Sequence, residues 1–122
     1  TLILDTRSKD EFTGAYQKTG AFKAGRLPNS IHIDWTKAVN YNGDKRIKSI
    51  QDLEKIYNQL NVKKEEPIIV YCHSGVRSAH TTFILTQLLG YKNVKNYDGS
   101  WTEWSYYGDL PYEKDSITLT KN

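Results

Sequence analysis

The chain has a single cysteine, Cys72, at the end of its most apolar run, Pro67-Ile-Ile-Val-Tyr-Cys72. His73, Ser74, Gly75, Val76, Arg77 and Ser78 follow directly. A free thiol with an ordinary pKa of about 8.5 is only a few per cent thiolate at neutral pH, so a nucleophilic cysteine needs help. This segment offers three kinds. A helix starting near Arg77 would turn its positive end toward the thiol. Backbone N–H groups in a tight Ser-Gly-Val turn can converge on an anion. Arg77 adds a fixed positive charge, and Gly75 has the backbone freedom that a closed loop requires. An isolated cysteine at a strand end is more often ordinary core. The order of strand, short loop, arginine and helix argues for the nucleophile instead.

Strands and helices alternate along the chain. Leu2 to Asp5 reads as a strand, and Ser8 to Glu11 as a capping box opening a short helix. Residues 14–29 read as loop, and Ile31 to Ile33 as a second strand. Ser49 starts an amphipathic helix with Ile50, Leu53, Tyr57 and Leu60 on one face. Ile68 to Tyr71 is a continuous apolar run, which suits a central parallel strand covered on both sides. Arg77 to Leu89 reads as a helix with Phe83, Ile84, Leu85, Leu88 and Leu89 inward, stopped by Gly90. Val94 to Tyr97 is a further strand. Ser100 and Glu103 are expected to cap a last helix carrying Trp101 and Trp104, and the tail after Pro111 is expected to be extended or partly disordered. These elements predict an α/β fold, a parallel sheet of about five strands with helices on both faces. Ligands in such sheets bind beyond the carboxyl ends of the strands, which is where Cys72 falls.

The 122 residues suit one domain, 1–122, with a core of useful size. A net charge of +3, from lysines interspersed with acids, points to a solvated surface rather than a nucleic-acid groove. No apolar stretch approaches the ~20 residues of a membrane-spanning helix. One cysteine forms no internal disulfide. With three histidines at unsuitable spacings it implies no metal site. No cofactor is implied. The chain lacks methionine and begins at Thr1, as expected of a piece of a longer protein. Nothing in it sets the compartment, cytoplasmic or periplasmic.

Two anion-cradling thiol chemistries remain, phosphate or arsenate chemistry and sulfur transfer. Four residues separate Cys72 from Arg77, one fewer than in the Cys-x5-Arg loop of cysteine phosphatases. The shorter ring suits the outer sulfur of a persulfide better than a tetrahedral phosphate. No aspartate is marked by its neighbourhood as the general acid a phosphatase wants.

Several segments together resemble the rhodanese domain. They are Leu2 to Arg7 with its Asp5-Thr-Arg7, Gly25 to Ile31, Val70 to Ala79, Leu89 to Val94, and Asp98-Gly99-Ser100-Trp101 with Glu103 and Trp104. With Trp35, the match is most similar to the C-terminal catalytic half of tandem thiosulfate sulfurtransferases. Arg26 stands in place of the family's usual histidine and Asn29 in place of its glycine. The resemblance implies double displacement. Cys72 takes a sulfane sulfur from thiosulfate or a similar donor and passes it to cyanide or a thiol. It implies that the loop residues His73, Ser74, Gly75, Val76, Arg77 and Ser78 bind the transferred group, with Arg77 gripping the donor's sulfonate end or holding the loop, and that a second rhodanese domain accompanies this one. A persulfide-carrying relay module is the non-enzymatic alternative. Trp35 is a candidate for the substrate mouth, and Asp5 and Arg7, joined by Glu11, for bracing the strand ends by charge-assisted hydrogen bonds.

Overall fold

The computed structural model describes residues 1–115. Its centre is a parallel sheet of four strands, ordered β2-β1-β3-β4, with β1 Leu2–Asp5, β2 Ile31–His32, β3 Ile68–Tyr71 and β4 Val94–Asn96. Among the described residues the expected count of about five is corrected to four. The extended stretch after Pro111 contributes a single antiparallel bridge, between Glu113 and Arg26, rather than a strand. Residues 116–122, the rest of that tail, lie outside the described residues.

Strand alternation sorts the side chains into two layers. Leu4 lies beside Val70 and Leu2 beside Ile68 on one face. There they meet Leu53 and Tyr57 of α2 (Ile50–Tyr57), together with Ile84 and Leu85. On the other face, Ile3 and Tyr71 pack with Leu27 and with Trp101 and Trp104 of α4 (Ser100–Tyr106). Helices therefore cover both faces, as the apolar run through β3 requires.

Local signals set most element ends. Ser8 caps α1 (Lys9–Thr13) through a complete capping box with Glu11, and Gly14, at φ +89°, closes it. Asn29, in the family's glycine place, has φ +61°, a left-handed conformation that asparagine tolerates better than most residues. The helix after the cysteine loop starts one residue earlier than expected, as α3 (Val76–Phe83), and widens into a π-helical segment over Ile84–Leu88. Phe83 is half exposed rather than core. The buried stripe runs through Thr81, Ile84 and Leu85, and Phe83 falls off that 3.6-residue period. Ile50 also faces water in part, because the first turn of α2 stands clear of the core that Leu53 and Tyr57 enter. Ser100 is not a cap: Gly99 holds that position, and Ser100 is the first residue of α4.

Candidate active site

All four strands are parallel, so the segments that follow them gather at one edge of the sheet. Arg7 follows β1, Trp35 follows β2, Cys72 follows β3 and Ser100 follows β4. Cys72 is almost fully buried, at 1% exposure, while Ser74 and Val76 form an exposed rim above it.

The loop from Cys72 to Ser78 closes on the sulfur. The Gly75 N–H donates to Cys72 Sγ at 3.1 Å, and the Ser78 hydroxyl donates to it at 3.4 Å. Burial alone would raise the thiol pKa. The Ser78 hydroxyl and the N–H groups of Ser78, Ser74 and Gly75 outweigh it and bring the pKa below the ordinary value. Gly75 has φ +92°, and a Cβ there would lie 2.8 Å from the Asp98 carbonyl oxygen. No other residue fits this position without backbone movement.

Arg77 is held by Glu11. Its Nη1 and Nη2 donate to the two carboxylate oxygens of Glu11 at 2.9 and 3.0 Å, a bidentate pair that ties α3 to α1. Burial would raise the Glu11 pKa, but the hydrogen bonds and charge of Arg77 prevail and hold it down at about 2. The Arg77 pKa is raised: burial acts against its charge, and Glu11 more than compensates.

Asp5 and Arg7 form a second, fully buried pair. Arg7 donates to Asp5 through its backbone N–H and its guanidinium, with the shortest contact 2.7 Å. The same guanidinium donates to the Gly25 carbonyl at 2.7 Å and lies between the rings of Tyr71 and Trp101, 5.5 and 5.2 Å from their centroids. Tyr71 completes the group by donating to Asp5 at 2.7 Å and accepting from the Leu27 N–H. Burial first, and then Asp5, push the Tyr71 pKa well up, so this hydroxyl stays a donor. Arg26 is buried on the Phe12 ring and donates to the Phe12 carbonyl. Its place is in packing, away from the sulfur.

His73 Nε2 lies 3.1 Å from the Thr19 carbonyl oxygen. That oxygen can only accept, so Nε2 carries the proton. Burial, with Lys18 nearby, lowers the His73 pKa and favours the neutral ring. Trp35 is half buried and meets the edge of His80 at 5.4 Å and of Tyr41 at 6.1 Å. Those contacts place it against α3, beyond the residues that close the loop. Among the described residues, no three His, Cys, Asp or Glu side chains cluster as a metal site.

Sequence reasoning missed the contribution of the segment after β4. The Cys72 N–H donates to Ser100 Oγ at 3.0 Å. Trp101 N–H donates to the Cys72 carbonyl and Thr102 N–H to the His73 carbonyl, each at 3.0 Å. Asn96 Nδ2 donates to the Gly75 carbonyl at 3.1 Å. Each of these residues lies 21 to 29 positions from its loop partner, and only the parallel pairing of β3 with β4 brings them together.

A model of the rhodanese-like domain matches residues 1–106. The chain is 42% identical to the sulfur carrier protein TtuD of Thermus thermophilus over 92% of its own length and 41% of that protein's. It is 44% identical to SseA, a thiosulfate sulfurtransferase assignment in Mycobacterium tuberculosis, over 84% of this chain and 35% of SseA. It is 40% identical to the thiosulfate sulfurtransferase of Corynebacterium glutamicum over 95% of this chain and 39% of that one. The chain thus spans about two fifths of the length of the curated relatives it matches. Among solved structures, it is similar to the anaerobic ergothioneine biosynthesis enzyme of Chlorobium limicola bound to trimethyl histidine. The TM-score is 0.82 and the identity 26%, over 94% of this chain and 28% of that one. The chain belongs to the rhodanese-like family.

Proposed function

We propose that this chain is a sulfurtransferase domain that carries a sulfane sulfur as a persulfide on Cys72. The observation that carries the reading is the loop itself: a buried thiol accepts from Gly75 and Ser78 at the carboxyl edge of a central strand. In the first half-reaction the Cys72 thiolate attacks the outer sulfur of thiosulfate. A Cys72–sulfur bond forms, the donor's sulfur–sulfur bond breaks, and sulfite leaves with the electron pair. The inward N–H groups and the Ser78 hydroxyl then hold the terminal persulfide anion, the oxyanion-hole arrangement applied to sulfur. In the second half-reaction cyanide or a thiolate attacks that outer sulfur, and the Cys72 thiolate is released.

Arg77, engaged by Glu11 at both nitrogens, braces the loop in this reading rather than gripping the donor. Asp5 and Arg7 act as a buried strut at the same edge, and Trp35 packs behind α3. The loop length argues against phosphate-ester or arsenate chemistry. A relay role is the second reading. The relative named a sulfur carrier protein favours it, with a protein thiol as acceptor in place of cyanide. The length of the relatives supports a further domain in the full-length protein, and the family resemblance makes a second rhodanese domain the candidate.

Mass spectrometry after thiosulfate treatment tests the reading. A gain of one sulfur on Cys72 is expected, removed by cyanide with formation of thiocyanate. The Cys72→Ser variant should lose both. An unchanged mass in the wild type, together with hydrolysis of a phosphate ester, sinks the proposal.

A further inference from the structure

An anion cradle of backbone N–H groups has a structural requirement of its own. The buried carbonyls of such a loop must each find a donor. The Cys72 carbonyl receives the Trp101 N–H, and the His73 carbonyl receives the N–H and hydroxyl of Thr102. The Gly75 carbonyl receives the Ala79 N–H and the Asn96 side chain. The peptide before the nucleophile is held at both ends: its carbonyl, on Tyr71, accepts from the N–H and the hydroxyl of Thr6 at 3.0 and 3.2 Å. Its N–H points away from the cradle to Ser100 Oγ at 3.0 Å.

Ser100 is built for that contact. It is fully buried, and its hydroxyl donates its one proton to the Tyr97 carbonyl at 2.7 Å. The oxygen is therefore an acceptor toward Cys72 by necessity. Its backbone has φ +52°, a left-handed conformation that costs a non-glycine residue about 1 kcal/mol or more. Glycine would hold this backbone without strain, but it has no hydroxyl to offer.

We propose that Ser100 is a positioning residue for the nucleophile. Its hydroxyl holds the N–H end of the Tyr71–Cys72 peptide, whose carbonyl end Thr6 holds, and so aims Cys72 Sγ at the donors of the loop. The assignment rests on the reading of Cys72 as the sulfur carrier, but alkylation of Cys72 tests it without any sulfur chemistry. Iodoacetamide reacts with the thiolate, so its rate against pH reports how well the loop holds the anion. Without the Ser100 hydroxyl, the Cys72 N–H is orphaned, the peptide rotates and the loop donors lose their aim. Losing a hydrogen bond to a charged group on this account lowers the alkylation rate at pH 7 by about tenfold. The gap closes as pH rises and both thiols ionise.

Two variants separate positioning from folding. Ser100→Ala keeps the strained backbone, and Ser100→Gly relieves it. Both should shift the alkylation profile upward in pH alike, while their melting temperatures differ, with Ser100→Gly the higher. A wild-type profile in Ser100→Gly, or reactivity that follows melting temperature across the two, would overturn the assignment. A shifted profile in both, in a protein whose wild type takes no sulfur from thiosulfate, supports the positioning role and removes the persulfide reading instead.

Discussion

At the scale of single residues, the thiol of Cys72 faces two opposing influences. Burial at 1% exposure resists ionisation, and short contacts from Ser78 and the loop N–H groups favour it. The net direction is downward, so the thiolate is present at lower pH than in a free cysteine. Removing one donor should be measurable. Ser78→Ala is expected to lower the iodoacetamide rate at pH 7 about three- to tenfold, since a hydrogen bond to an anion contributes roughly 1.5–3 kcal/mol and greater intrinsic nucleophilicity offsets part of its loss. The gap should narrow and then reverse as pH rises and both thiols ionise, and parallel curves across the whole range would assign Ser78 to packing alone. Arg77 gives a second residue-level prediction. Its guanidinium is held by Glu11, so Arg77→Ala should reduce sulfur uptake from thiosulfate and from a neutral persulfide donor by similar factors. A loss confined to the anionic donor would mean that Arg77 leaves Glu11 to bind it. The arginine was legible in the sequence as part of the loop. Its partner was legible as a cap for α1 and as a companion of Asp5 and Arg7, but not as the residue that holds Arg77, because Glu11 serves the capping box and the ion pair with the same carboxylate.

At the scale of elements, the site depends on where backbone turns. Gly75 closes the loop against the segment after β4, and its φ of +92° with the nearby Asp98 carbonyl excludes a side chain. Gly75→Ala is expected to destabilise the fold by roughly 2 kcal/mol or more, through left-handed strain plus the displacement of Asp98. Urea denaturation measures this, and persulfide formation should fall further than stability does because the N–H groups lose convergence. A variant as stable and as active as the wild type would show that the loop tolerates another path. Where an element begins and ends was legible from residue type in α1, whose Ser8 and Gly14 behave as their chemistry predicts. It was less legible at α3. The apolar list Phe83, Ile84, Leu85, Leu88 and Leu89 is denser than one helical face, and only packing against the sheet decides that Phe83 is left in water. Ser100 misled for a different reason. A serine ahead of a helix is ordinarily a cap, but this one has φ +52° and bonds to a neighbouring strand's loop instead.

At the scale of the whole molecule, two ion pairs of different kinds stand at the carboxyl edge. Asp5 and Arg7 are both at most 2% exposed and lie two residues apart, whereas Glu11 and Arg77 join elements 66 residues apart. The second pair makes stability depend on pH. The Glu11 pKa is lowered from 4.5 to about 2, so the unfolded chain takes up its proton first as pH falls. The ionised pair therefore contributes in full above about pH 5, and the contribution is lost as pH drops toward 2. Glu11→Gln should cost about 2 kcal/mol near neutral pH, less than a fully enclosed pair because Arg77 reaches water. The gap between wild type and variant in urea midpoint should close between about pH 5 and pH 2. A gap that is constant over that window would assign the loss to packing rather than to charge.

Residue pattern alone accounts for the alternation of elements, the parallel sheet, the loop and the identity of its one thiol. Those follow from periodicity, turn residues and spacing, all of which act over a few neighbouring positions. Tertiary structure alone decided that the sheet has four strands, that Arg77 faces Glu11 and that the peptide before Cys72 is held by Ser100. These depend on which segments the sheet order places side by side. Contacts between residues 28 or 66 apart leave no mark in the local pattern of either partner.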